Sequence, residues 1–397
     1  MQVSRKWFVV VFASLFAGVV VSRDVTAAKV NPPTQYRVAD LPSNGGTNSR
    51  GNSINNQGWV SGYSNLAGNQ RRHATLWIDG ERTDLGTLGG PNSSVAWPVK
   101  NNAGRLAGIS QTSTPDPLGE NWSCSAFFPA ATATGFTCRG FVWESGVMTA
   151  LPTLGGNNGF ATGSNNRGQT VGWAETAVHD STCVAPQVLQ FKAAVWGPGA
   201  GQVQELPLVS GDTSSAATAI NDRGQVVGIS GRCDQAVGRF TAIHAVFWDK
   251  DGITDIGNLG RLSWNTPMAI NEGGDIVGFA PVDDTDPDNP QLHAFAKFKG
   301  GTIQDLNTLD GDLFSEALGI NARRQVVGIS CHNADGSGAC RAFLWQDGEM
   351  TDLNTLVEPG YPNLLTTAQD INDAGVIVGR ALTPGGQRPA FVATPQP

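Results

Sequence analysis

Short apolar runs rich in β-branched and aromatic residues alternate along this chain with polar, glycine-bearing breaks. Such runs predict strands and such breaks predict turns. Residues 219–230, AINDRGQVVGIS, hold one full period: a strand ending at Asn221, a turn Asn221-Asp222-Arg223-Gly224, and a second strand through Val226 and Val227. The stretch recurs. Seven copies align on Asn55, Asn101, Asn165, Asn221, Asn271, Asn321 and Asn372, at spacings of 46, 64, 56, 50, 50 and 51 residues. Each copy also carries a glycine seven residues after the Asn, from Gly62 to Gly379. Beyond the N-terminal segment, no long stretch places apolar residues at helical spacing.

Two further motifs follow each copy. The second is HATLWIDG at His73, RGFVWESG at Arg139, HAVFWDKDG at His244 and HAFAKFKGG at His293, among others. The third is RTDLGTLGG at Arg82 or MTDLNTL at Met350. Each unit therefore predicts four short antiparallel strands. Alternating small residues before the Asn, such as Ala217 and Ala219, predict a first strand of period two packed closely on its neighbours. Asn closes its own turn and Gly accepts positive φ, so the Asn-X-X-Gly breaks read as hairpin chemistry. A phosphate loop would require a helix after the strand. The recurring Trp77, Trp143, Trp196, Trp248 and Trp345 sit mid-strand and predict a core between units. His73, His244 and His293 share one repeat column, which predicts a scaffold role, while His179 and His332 lie in loops.

The ends decide the architecture. The seventh unit stops at PAFVATPQP without a fourth strand, and YRVADLPSNGG, Tyr36–Gly46, supplies one before the first unit. An open solenoid would want a capping unit at each end instead. The prediction is an all-β fold: a seven-bladed β-propeller of four-stranded antiparallel blades, closed by Tyr36–Leu41 pairing with Ala390–Ala393.

On these motifs the chain resembles the HAF-repeat family of extracellular repeat proteins, named for the triplet present here as His293-Ala294-Phe295. The resemblance covers residues 36–393. It implies a secreted repeat protein and brings no catalytic residues. Two copies depart from the pattern: Lys297 stands where others carry Trp, and Arg324 where others carry the turn glycine.

Residues 1–28 read as a cleaved signal peptide, with basic Arg5 and Lys6, the apolar run Trp7–Val21, and small Ala27 and Ala28. Residues 29–35 form a linker and 36–397 the single propeller domain. The apolar run is short for a membrane span. Removing the signal takes 26 basic and 34 acidic residues to 23 and 33, a net charge of −10. That balance, with no basic cluster, argues against nucleic acid and anionic lipid surfaces. The mature chain is expected to be a monomer without membrane insertion, located extracellularly or in a periplasm.

In such a meander, the loops between second and third strands share a face with the connectors between blades. Those loops hold nearly all the length variation, at about 111–138, 174–190, 231–243, 281–292 and 331–340. They also hold all six cysteines, Cys124, Cys138, Cys183, Cys233, Cys331 and Cys340. Loop proximity pairs Cys124 with Cys138, Cys183 with Cys233, and Cys331 with Cys340, in keeping with an oxidising compartment. This looped face is the expected binding face, for an extracellular glycan or protein. Trp122 is an off-pattern aromatic there, and Asp283, Asp284, Asp286 and Asp288 gather in PVDDTDPDNP. Their hard oxygens suit calcium, but the spacing is not that of an EF-hand loop. No cofactor motif is present. There is no Gly-X-Ser-X-Gly and no zinc-type Cys/His spacing, so no catalytic residue is assigned. A hydrolase with carboxylates meeting at the channel mouth, and a structural surface component, stand as alternatives.

Overall fold

The computed structural model describes residues 34–396 apart from 121, 200, 235–237 and 287–289, with the backbone alone at 122 and 123. The signal segment and the start of the linker lie outside these residues. The strands form seven four-stranded antiparallel sheets. Blade 4 is representative, with strands Ser214–Ile220, Val226–Gly231, His244–Asp249 and Gly252–Asp255. The inner strands of blades 3 to 7 touch in succession and that of blade 7 meets that of blade 1, while blade 2 joins its neighbours through other strands of the blades.

Closure follows the expected pairing. Tyr36–Asp40 lies antiparallel to Ala390–Pro395, with Val38 opposite Ala393 and Asp40 opposite Phe391. The amide of Leu41 adds a bond to the Ala390 carbonyl at 2.8 Å. Tyr36 is buried against Leu353, Leu356 and Phe391 of blades 6 and 7, so burial of apolar surface reinforces the ladder.

The inner strand departs from a strict period of two. In six blades a bulge falls between the small residues four and two positions before the Asn, as between Ala217 and Ala219. The extra residue turns its side chain to the next blade: the Thr218 hydroxyl donates to Pro267 O at 2.6 Å. In blade 2 the inner strand stops at Ser94, ahead of Pro98, which has no amide to give a ladder. The glycine seven residues after the Asn is required by close approach. A Cβ at Gly172 would lie 1.9 Å from Phe160 O, and at Gly228 2.1 Å from Ala216 O.

Between blades the tryptophans act as read. The indole N–H groups of Trp77, Trp196 and Trp248 each donate at 2.8 Å to a proline carbonyl behind the preceding outer strand, Pro42, Pro152 and Pro207. The histidine column is also scaffold. His73 pairs with Asp84, His244 with Asp255 and His293 with Asp305, tying third strand to fourth. Disulfides join Cys124 to Cys138, Cys183 to Cys233 and Cys331 to Cys340. The blade 2 and blade 3 insertions carry their strands outward, as Leu106–Pro115 and Thr170–His179, and the first adds a short helix, Trp122–Phe127. Among the described residues no helix is long and apolar enough to cross a membrane.

Candidate functional site

The two ends of the central channel differ in chemistry. At the turn end, each repeat Asn does more than close its turn. Asn221 Oδ1 accepts from the amides of Arg223 and Gln225, both at 3.1 Å, while its Nδ2 donates to Asn271 O of the next blade at 3.1 Å. The donation passes from blade to blade through Asn271, Asn321, Asn372, Asn55, Asn101 and Asn165, back to Asn221. A closed ring of seven carboxamides thus latches the propeller.

Outside it runs a second circle. The side chains of Asn56, Asn102, Asn166, Asp222, Glu272 and Asp373 accept from the backbone of the preceding blade. Blade 6 breaks the circle with Ala322. Burial holds the Glu272 carboxyl above its ordinary range, against the amide of Asp222 that lowers it. These carboxylates are occupied in the latch: Asp222 takes both N–H groups offered by Asn166, at 2.7 and 2.6 Å. The cup they rim is about 60 Å³, whereas an apolar cavity of about 150 Å³ is what admits benzene. Its carboxylates are spent on amides of the neighbouring blade.

Beneath the cup Lys100 crosses the channel. Its position in the repeat is Ile in five other blades and Ser164 in one. The ammonium donates to Ile320 O at 2.8 Å and Ile371 O at 2.7 Å, and meets Asp370 Oδ1 at 2.9 Å. Asp370 is fully buried, and burial raises its carboxyl although Lys100 opposes the shift.

The looped end carries the unmatched charge. Five positions before each Asn and eight after it, paired residues form one layer towards this end. Blades 3, 4 and 5 fill the layer with Phe160 and Trp173, Ala216 and Ile229, and Thr266 and Phe279. Blades 1, 6 and 7 fill it instead with Arg50 and Tyr63, Glu316 and Ile329, and Thr367 and Arg380. Arg72 joins them, with its guanidinium carbon 3.8 Å from the Tyr63 ring centroid; that of Arg50 is 5.4 Å away. Arg72 is held in place by Asn65 Oδ1 at 3.0 Å and by the carbonyl of Phe127. Among the described residues the Nε atoms of Arg50 and Arg380 are shielded from solvent and have no partner, although the Arg380 side chain bonds Tyr63. Burial alone would raise the Tyr63 phenol, but the three guanidiniums outweigh it and bring it down to about 8. Burial pulls Arg50 down to about 10 despite Tyr63, and lifts Glu316 to about 7 despite Arg50. Half-buried Trp97 and Phe127 adjoin this cluster, 5.5 Å apart and edge to face.

A buried carboxyl pair lies under the blade 2 insertion. Glu120 accepts from the amides of Val188 and Leu189, and Gln187 Nε2 bonds both Glu120 and Glu175. Burial, with Glu120 nearby, raises Glu175 to about 7. Both are closed off from solvent, so they fasten the insertion rather than face a substrate.

Of the residues singled out from sequence, the repeat Asn residues form the ring and the cysteines pair as expected, while Trp122 and the acidic loop belong to the insertions of different blades, 2 and 5. Trp122 opens the short helix in the blade 2 insertion. Asp283 and Asp284 face Arg261, at 3.9 and 3.4 Å, so an arginine supplies the positive charge beside them. Asp286 lies further along the loop, and Asp288 falls outside the described residues. Sequence reasoning missed Arg50, Tyr63, Arg72, Arg380 and Glu316. Their signal was departure from the repeat: charge in columns where other blades carry apolar or small residues.

No protein-family model matches this chain, and no curated protein matches it. Solved structures do. An acylaminoacyl peptidase of Pyrococcus horikoshii is similar with a TM-score of 0.50 at 10% identity, over 91% of this chain and 52% of that one. The β-propeller domain of the Trilobed protease from Pyrococcus furiosus is similar at 0.49 and 9% identity, over 90% and 93%. Trypanosoma rangeli sialidase follows at 0.39 and 11% identity, over 92% and 60%. The chain spans about half the length of the first of these, and the likeness is one of fold: a β-propeller.

Proposed function

We propose that this propeller is a secreted binding module of the HAF-repeat family that takes an extracellular glycan or protein on its looped face. One observation carries the reading. Among the described residues, buried N–H donors without partners on Arg50, Arg380 and Trp97 gather at the looped end of the channel, whereas the turn end is closed by a satisfied ring of carboxamides, with the Nε of Arg105 left over beside it. Buried polar groups normally find partners, and a ligand is a natural one. Most of the exposed aliphatics support the same face, Val147 beside a turn of the other face being the exception. Leu118, Val178, Val184, Leu262, Leu313 and Leu364 all lie in its loops and connectors or at a strand end beside them. Three disulfides, two within loops and one joining blades 3 and 4, make that face rigid and fit an oxidising compartment. The reading is tested by screening residues 29–397 against glycans, polysaccharides and extracellular proteins, with products monitored. Binding that is lost on substituting looped-face residues is expected. Turnover of a glycan would replace the reading with the hydrolase, and silence on every ligand would leave the structural component.

A further inference from the structure

We infer that Arg50, Arg72 and Arg380 form a subsite for the oxyanion of an acidic glycan, a carboxylate or a sulfate ester on a sugar ring. The inference rests on the proposal that the looped face binds the ligand, and it names the ligand's chemistry.

The fold does not ask for these arginines. The same layer is apolar in blades 3 and 4, and those blades close as well. Gathering three guanidiniums costs desolvation and mutual repulsion, and one carboxyl, Glu316, stands near to offset them. Tyr63 relieves part of the cost through its ring face, as aromatic rings do for cations. Arg72 is fixed by Asn65 and the Phe127 carbonyl, while Arg50 and Arg380 keep Nε donors unused. Three guanidiniums that are each partly exposed, one of them anchored, match the flat oxygens of a carboxylate or the oxygens of a sulfate.

Two features choose a glycan. Arg72 bonds the backbone of Phe127, and Phe127 packs on Trp97, so half-buried aromatic surface adjoins the charge. A sugar ring bearing an acidic group presents those two chemistries side by side. The mature chain is acidic, so it repels densely charged polyanions at long range and favours single anionic groups recognised by contact.

Calorimetry on residues 29–397 tests this with an oligogalactan bearing one terminal galacturonate, its methyl ester, a singly sulfated oligogalactan and its unsulfated form. One charged oligomer is expected to bind about tenfold or more tightly than its neutral partner, and which one identifies the group. Arg50→Gln and Arg380→Gln should each erase that preference, Arg380→Lys should restore part of it, and Arg82→Gln on the turn face should leave it intact. Where an arginine variant fails to fold, the wild-type phenol near 8 serves: the binding oligomer should move its near-ultraviolet titration upward, and the neutral partner should not. Equal affinity for charged and neutral oligomers, silent arginine variants that melt as wild type, or preference for an acidic peptide would overturn the inference. If neutral glycans bind and the arginines are silent, the binding-module reading survives alone. If no glycan or protein binds, both fall.

Discussion

Arg324 stands at the turn position where the other repeats place a glycine, at a φ of 62°. An L-residue there carries about 1 kcal/mol of strain or more. Judged as a turn alone, Arg324→Gly should stabilise the protein. The structure predicts the opposite. Arg324 Nε donates to Asp275 Oδ2 at 3.0 Å and its terminal nitrogen to Oδ1 at 3.2 Å, a two-point pair with the preceding blade. Its guanidinium also lies 4.8 Å from the Phe298 ring centroid, and Phe298 stacks on Trp345. Asp275 is buried, whereas the arginine side chain is 54% exposed, so solvent screens the pair. Without the arginine, Asp275 keeps the Asn271 carboxamide at 3.1 Å and the Lys299 amide at 2.8 Å. The pair and the ring contact together are then worth about 2 to 3 kcal/mol, below the cost of baring a wholly buried charge.

Arg324→Gly loses that amount and regains the strain, so it should be less stable by about 1 to 2 kcal/mol. Arg324→Ala keeps the strain and should be worse by about 1 kcal/mol more. Urea unfolding midpoints of the three proteins measure both gaps. Acid adds a second check. Burial pushes the Asp275 carboxyl up, but Arg324 and the neighbouring N–H groups prevail and hold it below its ordinary range. Its contribution is present above the ordinary aspartate range and is lost as pH falls through the depressed value. The gap between wild type and Arg324→Gly should therefore narrow in acid. A glycine variant more stable than wild type at neutral pH would refute the reasoning.

Three further outcomes are expected. Lys100→Met strands the buried Asp370 and should cost about 3 kcal/mol in urea unfolding, with Asp370→Asn recovering much of it in the double variant. Glu175, raised to about 7, stabilises fully below the ordinary glutamate range and loses that contribution as pH rises through 7, by up to about 3 kcal/mol. Glu175→Gln should flatten that loss in stability measured from pH 4 to 8. Deleting residues 30–46 removes the closing strand and the buried Tyr36, and should lower stability by about 4 kcal/mol or more; an unchanged melting temperature would count against closure.

The ring was legible because its physics is repeated. Seven Asn residues with seven trailing glycines mark one backbone solution used seven times, and a missing strand at one end matched a spare strand at the other. The Asn ring itself was half legible. The cap on the turn follows from Asn chemistry, but the bond from Nδ2 to the next blade exists only once blades are neighbours. The looped-end cluster was not legible as a site, because each member is a single departure lying far from the others. Arg50 and Arg380 come from opposite ends of the chain and meet through closure of blade 7 onto blade 1. The same rule covers Lys100 with Asp370 and Arg324 with Asp275: each exception in one blade is answered by an exception in another. Repetition therefore reports what the fold needs, and unanswered exceptions report what it does not. Arg324 and Lys100 find their partners within the ring, so they belong to stability. Arg50 and Arg380 keep spare donors after the ring has closed, which is the physical reason to look for their partner outside the chain.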